Sequence, residues 1–151
     1  MQKKKLMLVV AGIVVLLDYL TKFILEDKQF TIIKNFLSIN YTRNYGAAWS
    51  IFQNQRIFLI IISLLFLIVL LKYSLRYKNN KKNNIAFGLV IGGLLGNLLD
   101  RMIFGYVRDF ISLKFGSYYY PIFNIADIAI VVGVIIIIIA IIKKEDNNAK
   151  D

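Results

Sequence analysis

Four stretches of this chain, at about residues 6–25, 57–75, 85–103 and 123–142, are apolar enough to sit in lipid as helices. A helix rising about 1.5 Å per residue needs roughly 17–25 residues to cross the hydrocarbon. In that medium a helix is one of only two backbone forms that satisfy their own hydrogen bonds. The expected fold is therefore mainly α, a membrane protein built as a four-transmembrane-helix bundle. Of 151 residues, few remain for anything else. Residues 1–151 are read as a single membrane domain, with outer loops at about 26–56 and 105–121 and a polar tail at 143–151. The first stretch, flanked by Lys3-Lys4-Lys5, mimics a secretory signal. It lacks a small-residue cleavage site and runs straight into Asp18-Tyr19-Leu20-Thr21-Lys22, so it is expected to be a retained span.

The net charge of +10 resembles a nucleic-acid footprint until the charges are placed. Lys3, Lys4 and Lys5, the cations from Lys72 to Lys82, and Lys143, Lys144 and Lys150 fall on one side if four helices alternate. Basic flanks on one side imply that both termini face the cytoplasm. Those flanks suit anionic lipid headgroups, and no basic surface domain exists to hold a nucleic acid. With no cysteine there is neither disulfide nor thiol chemistry.

Residues 30–43 of the first outer loop are rich in β-branched and aromatic side chains, which predicts one or two short strands there. Asn44-Tyr45-Gly46-Ala47-Ala48-Trp49 reads as a glycine turn leading to an aromatic anchor at the interface. Pro121, following Tyr118-Tyr119-Tyr120, is expected to set the start of the last helix. In the third span, Gly88, Gly92 and Gly96 recur every fourth residue, a spacing that lets helix backbones approach closely.

Three aspartates, Asp100, Asp109 and Asp127, lie within or beside these apolar segments. A carboxylate in lipid is expensive, by about 2.5–3.5 kcal/mol on insertion scales, so each needs a reason to be there. Asn97, Asp100 and Arg101 share a helix face, Asn124 and Asp127 stand one turn apart, and Asp18, Thr21 and Lys22 repeat the pattern. Three helices thus bring polar faces to a common depth. Asp100 beside Arg101, and Asp18 beside Lys22, also read as local ion pairs. Asp109 and Asp127 could act together, since two close carboxylates share a proton; one could then activate water while the other polarises a carbonyl. With no histidine or cysteine, the usual triads and the His/Cys metal sets are excluded, and no metal or cofactor is expected. A Ser50–Lys22 arrangement is conceivable but carries no motif. A proton-coupled transporter, a channel subunit and a non-catalytic scaffold remain alternatives from spacing alone.

With these residues in view, the chain resembles the lipoprotein signal peptidases, the bacterial signal peptidase II family. Five motifs carry the resemblance in order: Asp18-Tyr19-Leu20-Thr21-Lys22, Arg43-Asn44-Tyr45-Gly46-Ala47-Ala48-Trp49, Gly92-Gly93-Leu94-Leu95-Gly96-Asn97-Leu98-Leu99-Asp100-Arg101, Val107-Arg108-Asp109-Phe110-Ile111 and Pro121-Ile122-Phe123-Asn124-Ile125-Ala126-Asp127. The resemblance implies an aspartic endopeptidase of the bacterial inner membrane. Such an enzyme removes signal peptides from prolipoproteins just before a diacylglyceryl-modified cysteine. It implies Asp109 and Asp127 as the catalytic pair. It makes Asp18, Lys22, Asn44, Gly46, Asn97, Asp100, Arg101 and Asn124 supporting or substrate-binding residues. It further implies an extracytoplasmic β-sheet cradle from the first outer loop; a site near the outer face, membrane lipids as neighbours and a monomer are expected beside it. Arg108 departs from the aliphatic residue expected at its position, and its charge would depress the pKa of Asp109 and favour Asp109 as the ionised member. Tyr45 stands where a small polar residue is expected.

Overall fold

A computed structural model describes residues 4–47 and 51–143. Within them lie four helices long and apolar enough to cross a membrane: α1 (Lys5–Ile24), α2 (Arg56–Ser74), α3 (Lys81–Ile103) and α4 (Ile125–Ile142). Four strands accompany them: β1 (Gln29–Ile33), β2 (Leu37–Asn44), β3 (Val107–Phe115) and β4 (Tyr118–Tyr119). The expected interfacial anchor Trp49, the serine Ser50, Lys3 and most of the polar tail lie outside the described residues.

Helix α3 is the centre of the bundle, packing against α1, α4 and α2. Its glycines explain why. A Cβ on Gly88 would fall 2.7 Å from the Met7 carbonyl oxygen, and one on Gly92 would fall 2.8 Å from that of Ala11. The four-residue glycine spacing is thus the contact line with α1, where only a residue without a side chain permits this approach. Helix α2 is packed far less: only Leu59 and Ser74 are buried, Leu67, Leu70 and Tyr73 pack partly against the core, and most of its other apolar side chains are exposed. Two cations tie its ends. Arg56 donates through Nε to the Arg101 carbonyl (2.9 Å) and through Nη2 to that of Met102 (2.8 Å), capping α3. Lys4 donates to the Ser74 carbonyl at 2.8 Å, capping α2 itself. Both cations meet carbonyls of a helix's last turn, and the Arg101 carbonyl also accepts from the Gly105 N–H at 3.2 Å.

The strands form one antiparallel sheet in the order β1-β2-β3-β4. The first outer loop supplies only β1 and β2. Residues 107–115, expected as loop, are a strand because their backbone finds partners on two sides. One is β2, where Thr42 pairs with Asp109; the other is the stretch before α4, where Ile111 and Phe123 exchange hydrogen bonds. Val107, Phe110 and Ser112 of this strand are buried.

That Ile111–Phe123 bridge fixes where α4 begins. Asn124 is its N-cap: the Asn124 side chain accepts from the Asp127 N–H while Asp127 accepts from the Asn124 N–H, a reciprocal capping box. Asp18, reaching over from α1, accepts from the Ala126 N–H at 2.9 Å. This capping, rather than Pro121, sets the helix start, because it satisfies the amides that would otherwise be orphaned in an apolar setting. The sheet, the last turns of α1 and α3, and the first turns of α2 and α4 gather at one end of the bundle.

Candidate active site

At that end, Asp109 projects from β3 and Asp127 from the first turn of α4. Both line one cavity of about 560 Å³, together with Asn44, Asn97 and Arg101. Asn124 joins them. Its Nδ2 donates to Asp109 Oδ1 at 2.6 Å, and its backbone N–H donates to Asp127 Oδ2 at 3.1 Å. The remaining carboxylate oxygens are met by two other asparagines. Asn44 from β2 donates to Asp109 Oδ2 (3.0 Å), and Asn97 from α3 donates to Asp127 Oδ1 (2.8 Å). Asn97 Oδ1 in turn accepts from Asn124 Nδ2 (3.0 Å) and from Lys22 Nζ (3.2 Å). Each acid is therefore held by amide donors from two elements, which fixes its orientation while one face stays open to the cavity.

Burial, followed by the charge of Asp127, pushes the Asp109 carboxyl up to about 7. The Asn44 and Asn124 hydrogen bonds and the charge of Lys22 pull it the other way and only partly offset the rise. The expected depression by Arg108 is not found. Adjacent strand residues face opposite sides of a sheet, so Arg108 points away from Asp109. It donates instead to Asp100, through Nη2 to Oδ1 (2.8 Å) and through Nε to Oδ1 (3.2 Å).

Asp100 likewise differs from expectation. At about 100° per residue, Asp100 and Arg101 lie about 60° and 40° to opposite sides of Asn97, so the three do not act as one face. Arg101 turns toward the cavity and donates to the Gly46 carbonyl (2.9 Å), fastening the 44–47 loop beside the acids. The Gly46 N–H completes that loop by donating to Asn44 Oδ1. Asp100 turns the other way, toward α1 and β3, where it meets Lys22 Nζ at 3.1 Å. The local Asp18–Lys22 pair is present at 2.7 Å, inside this larger cluster. Lys22 is fully buried and engaged with Asp18, Asp100 and Asn97, which leaves it unsuited to serve as the base for Ser50. Tyr45 packs against Tyr106 with its ring tilted by 56° and the ring centroids 5.4 Å apart.

The sequence, with its family resemblance, pointed to ten residues: Asp18, Lys22, Asn44, Gly46, Asn97, Asp100, Arg101, Asp109, Asn124 and Asp127. It did not anticipate that Asn124 and Asp127 form a capping box, although the Asn-x-x-Asp spacing before an apolar run was visible. Nor did it anticipate Thr42 and Arg43 on the cavity wall. Both follow from the β2–β3 pairing, which needed β3 to be seen as a strand.

The fold and site define a multi-pass membrane enzyme with an acid-lined cavity at one end of its helices. The chain belongs to the signal peptidase II family, whose model, described as Signal peptidase (SPase) II, matches residues 10–143. It is thus a peptidase. A lipoprotein signal peptidase of Clostridium acetobutylicum is 42% identical over 146 residues, covering 92% of this chain and 95% of the relative. One from Staphylococcus aureus is 39% identical over 150 residues, covering 95% and 91%. A bacterial membrane enzyme solved by the in meso method at 2.3 Å superposes with a TM-score of 0.84 at 37% identity, covering 96% of this chain and 92% of that one.

Proposed function

We propose that this chain is an aspartic endopeptidase of the bacterial cytoplasmic membrane that removes signal peptides from prolipoproteins, cutting before a diacylglyceryl-modified cysteine. The observation that carries the reading is the pair of carboxylates, from different elements, bound to one asparagine and facing one cavity. Relatives bearing the lipoprotein signal peptidase name support the substrate class.

Asp109, with its raised pKa, is the member that holds the proton. Asp127 stands at the N-terminus of α4, where helix dipoles stabilise negative charge, and acts as the carboxylate. Asp127 takes a proton from water as the water oxygen attacks the scissile carbonyl carbon, and Asp109 donates a hydrogen bond to the carbonyl oxygen. When the intermediate collapses the C–N bond breaks, and the proton held by Asp127 passes to the departing amine. Arg101, on the same cavity wall, balances the single negative charge of the pair. No metal and no covalent intermediate enters these steps.

Residues 1–151 act as one membrane domain and as a monomer. The basic ends face the cytoplasm, and the sheet end faces outward. The substrate's acyl chains then hold its scissile bond at the depth of the two acids, so anchoring supplies much of the positioning. The test is incubation of the purified protein with a diacylglyceryl-modified prolipoprotein, with and without chelator, and measurement of product mass. A product beginning at the modified cysteine in both samples is expected. Ion flux without cleavage would favour a transport role and end this reading.

A further inference from the structure

Behind Asp109, on the far side of β3 from the cavity, four charged side chains from three elements are buried together. Asp18 and Lys22 come from α1, Asp100 from α3 and Arg108 from β3. Lys22 Nζ lies 2.7 Å from Asp18 and 3.1 Å from Asp100, and Arg108 Nη2 lies 2.8 Å from Asp100. Arg108 is only 2% exposed, and its guanidinium sits 4.4 Å from the centroid of the Phe104 ring. Two acids and two bases give the cluster no net charge. Lys22 alone could not balance both Asp18 and Asp100, and an uncompensated charge at this depth is costly. The cluster also grips the main chain: the Arg108 N–H donates to Asp100 Oδ2 at 2.9 Å, and the Arg108 carbonyl accepts from Asn124 Nδ2 at 3.4 Å. The residue whose side chain completes the charge balance is therefore the one whose backbone leads into Asp109.

We propose that Arg108 is a positioning residue for the reaction: paired with Asp100, it anchors β3 immediately before Asp109 and keeps the buried volume behind the two carboxylates free of net charge. This rests on the proposed roles of Asp109 and Asp127. The charged groups around Asp109 are Lys22 from α1, Arg101 from α3, Asp127 from α4 and Arg43 from β2, beside the neutral Asn44, Asn97 and Asn124. All four keep their charges when Arg108 or Asp100 is replaced, although Asp100→Asn also removes one of the two carboxylates paired with Lys22, so the sign of the surplus charge is under experimental control. Arg108→Met leaves a surplus negative charge, Asp100→Asn a surplus positive one, and the double variant leaves neither.

The test compares these three variants and Arg108→Lys with the full-length parent in detergent. Two pH dependences are recorded: the rate of cleavage of a diacylglyceryl-modified prolipoprotein, and the apparent melting midpoint. Arg108→Met is expected to move the fall in rate at high pH upward by about one unit, and Asp100→Asn to move it downward by a similar amount. The double variant returns it close to the parent position. Arg108→Lys keeps the position while lowering kcat, because a single ammonium cannot reproduce the two-nitrogen contact with Asp100. The same opposed displacements appear in the pH dependence of the melting midpoint, which follows ionisation of Asp109 whether or not the substrate is cut. A parent that cleaves nothing but shows these displacements would overturn the functional reading and leave the role of Arg108 standing. Single variants that lose rate or stability with unmoved pH profiles, and a double variant worse than either, would overturn the proposal. Should Arg108→Met fail to fold, unmoved profiles in Asp100→Asn would overturn it as well.

Discussion

Asn124 concentrates the chemistry of this site in one residue. Its side chain donates to Asp109 and accepts from the Asp127 N–H, while its own N–H donates to Asp127. An asparagine can do this because its amide carries donors and an acceptor together, whereas an aspartate could not donate to Asp109. Replacing it with alanine should lower kcat by roughly 10²–10⁴-fold, since both acids lose their orientation; a variant cleaving at the parental rate would refute that. Asp109 supplies a second prediction at this scale. Its carboxyl rises from 3.8 to about 7 in the folded protein. Between those values the folded chain keeps a proton that the unfolded chain has released, so stability falls as pH rises through the window. Apparent melting midpoints should drop from pH 5 to pH 8 in the parent and stay flatter in Asp109→Asn. Since Asp109 is proposed to hold the proton, cleavage should also decline above about pH 7. The identities of these residues were legible in the sequence from their cost in lipid. Their partners were not. Arg108 stands next to Asp109 in the chain yet serves Asp100, because strand alternation outweighs adjacency.

Among the elements, the spans were the most legible part, since length and apolarity alone specify them. Helix α3 still begins at Lys81, four residues before the apolar run, because Asn80 accepts from the Asn83 N–H and starts the helix in polar sequence. Residues 107–115 were harder to read. Only pairing with β2 and Phe123 makes them a strand, and such partners are distant in sequence. The glycine spacing of α3 was readable as a packing signal, and its direction became clear only with α1 against it. That contact gives a prediction for the element. Gly92→Leu places a branched side chain where even a Cβ would lie 2.8 Å from the Ala11 carbonyl oxygen and 2.7 Å from Val14 Cβ. Forcing α1 from α3 should cost about 1–3 kcal/mol or more. It should also carry Asp18 away from the Ala126 N–H, so the melting midpoint and kcat should fall together. A variant with a parental midpoint and rate would show that the approach is dispensable.

At the scale of the molecule, the two ends of the bundle are chemically different. One collects lysines around Lys4, Lys72, Lys78 and Lys82. The other collects asparagines and aspartates under a sheet that exposes Phe30 and Ile32 on β1, Phe115 at the end of β3, and Tyr118 and Tyr119 on β4. Tyrosines such as Tyr118 and Tyr119 settle at the boundary between lipid and water, which suits the proposed substrate, held there by its acyl chains. The charge asymmetry was plain in the sequence. The joining of both outer loops into one sheet was not, since it depends on where α3 ends and α4 begins. The most direct test of the account is single-turnover cleavage of a diacylglyceryl-modified prolipoprotein, followed by product mass, for the parent, Asp109→Asn and Asp127→Asn at matched folding in the membrane. The account predicts product from the parent and none above background from either variant. Turnover by one of the two at a rate near that of the parent would contradict it.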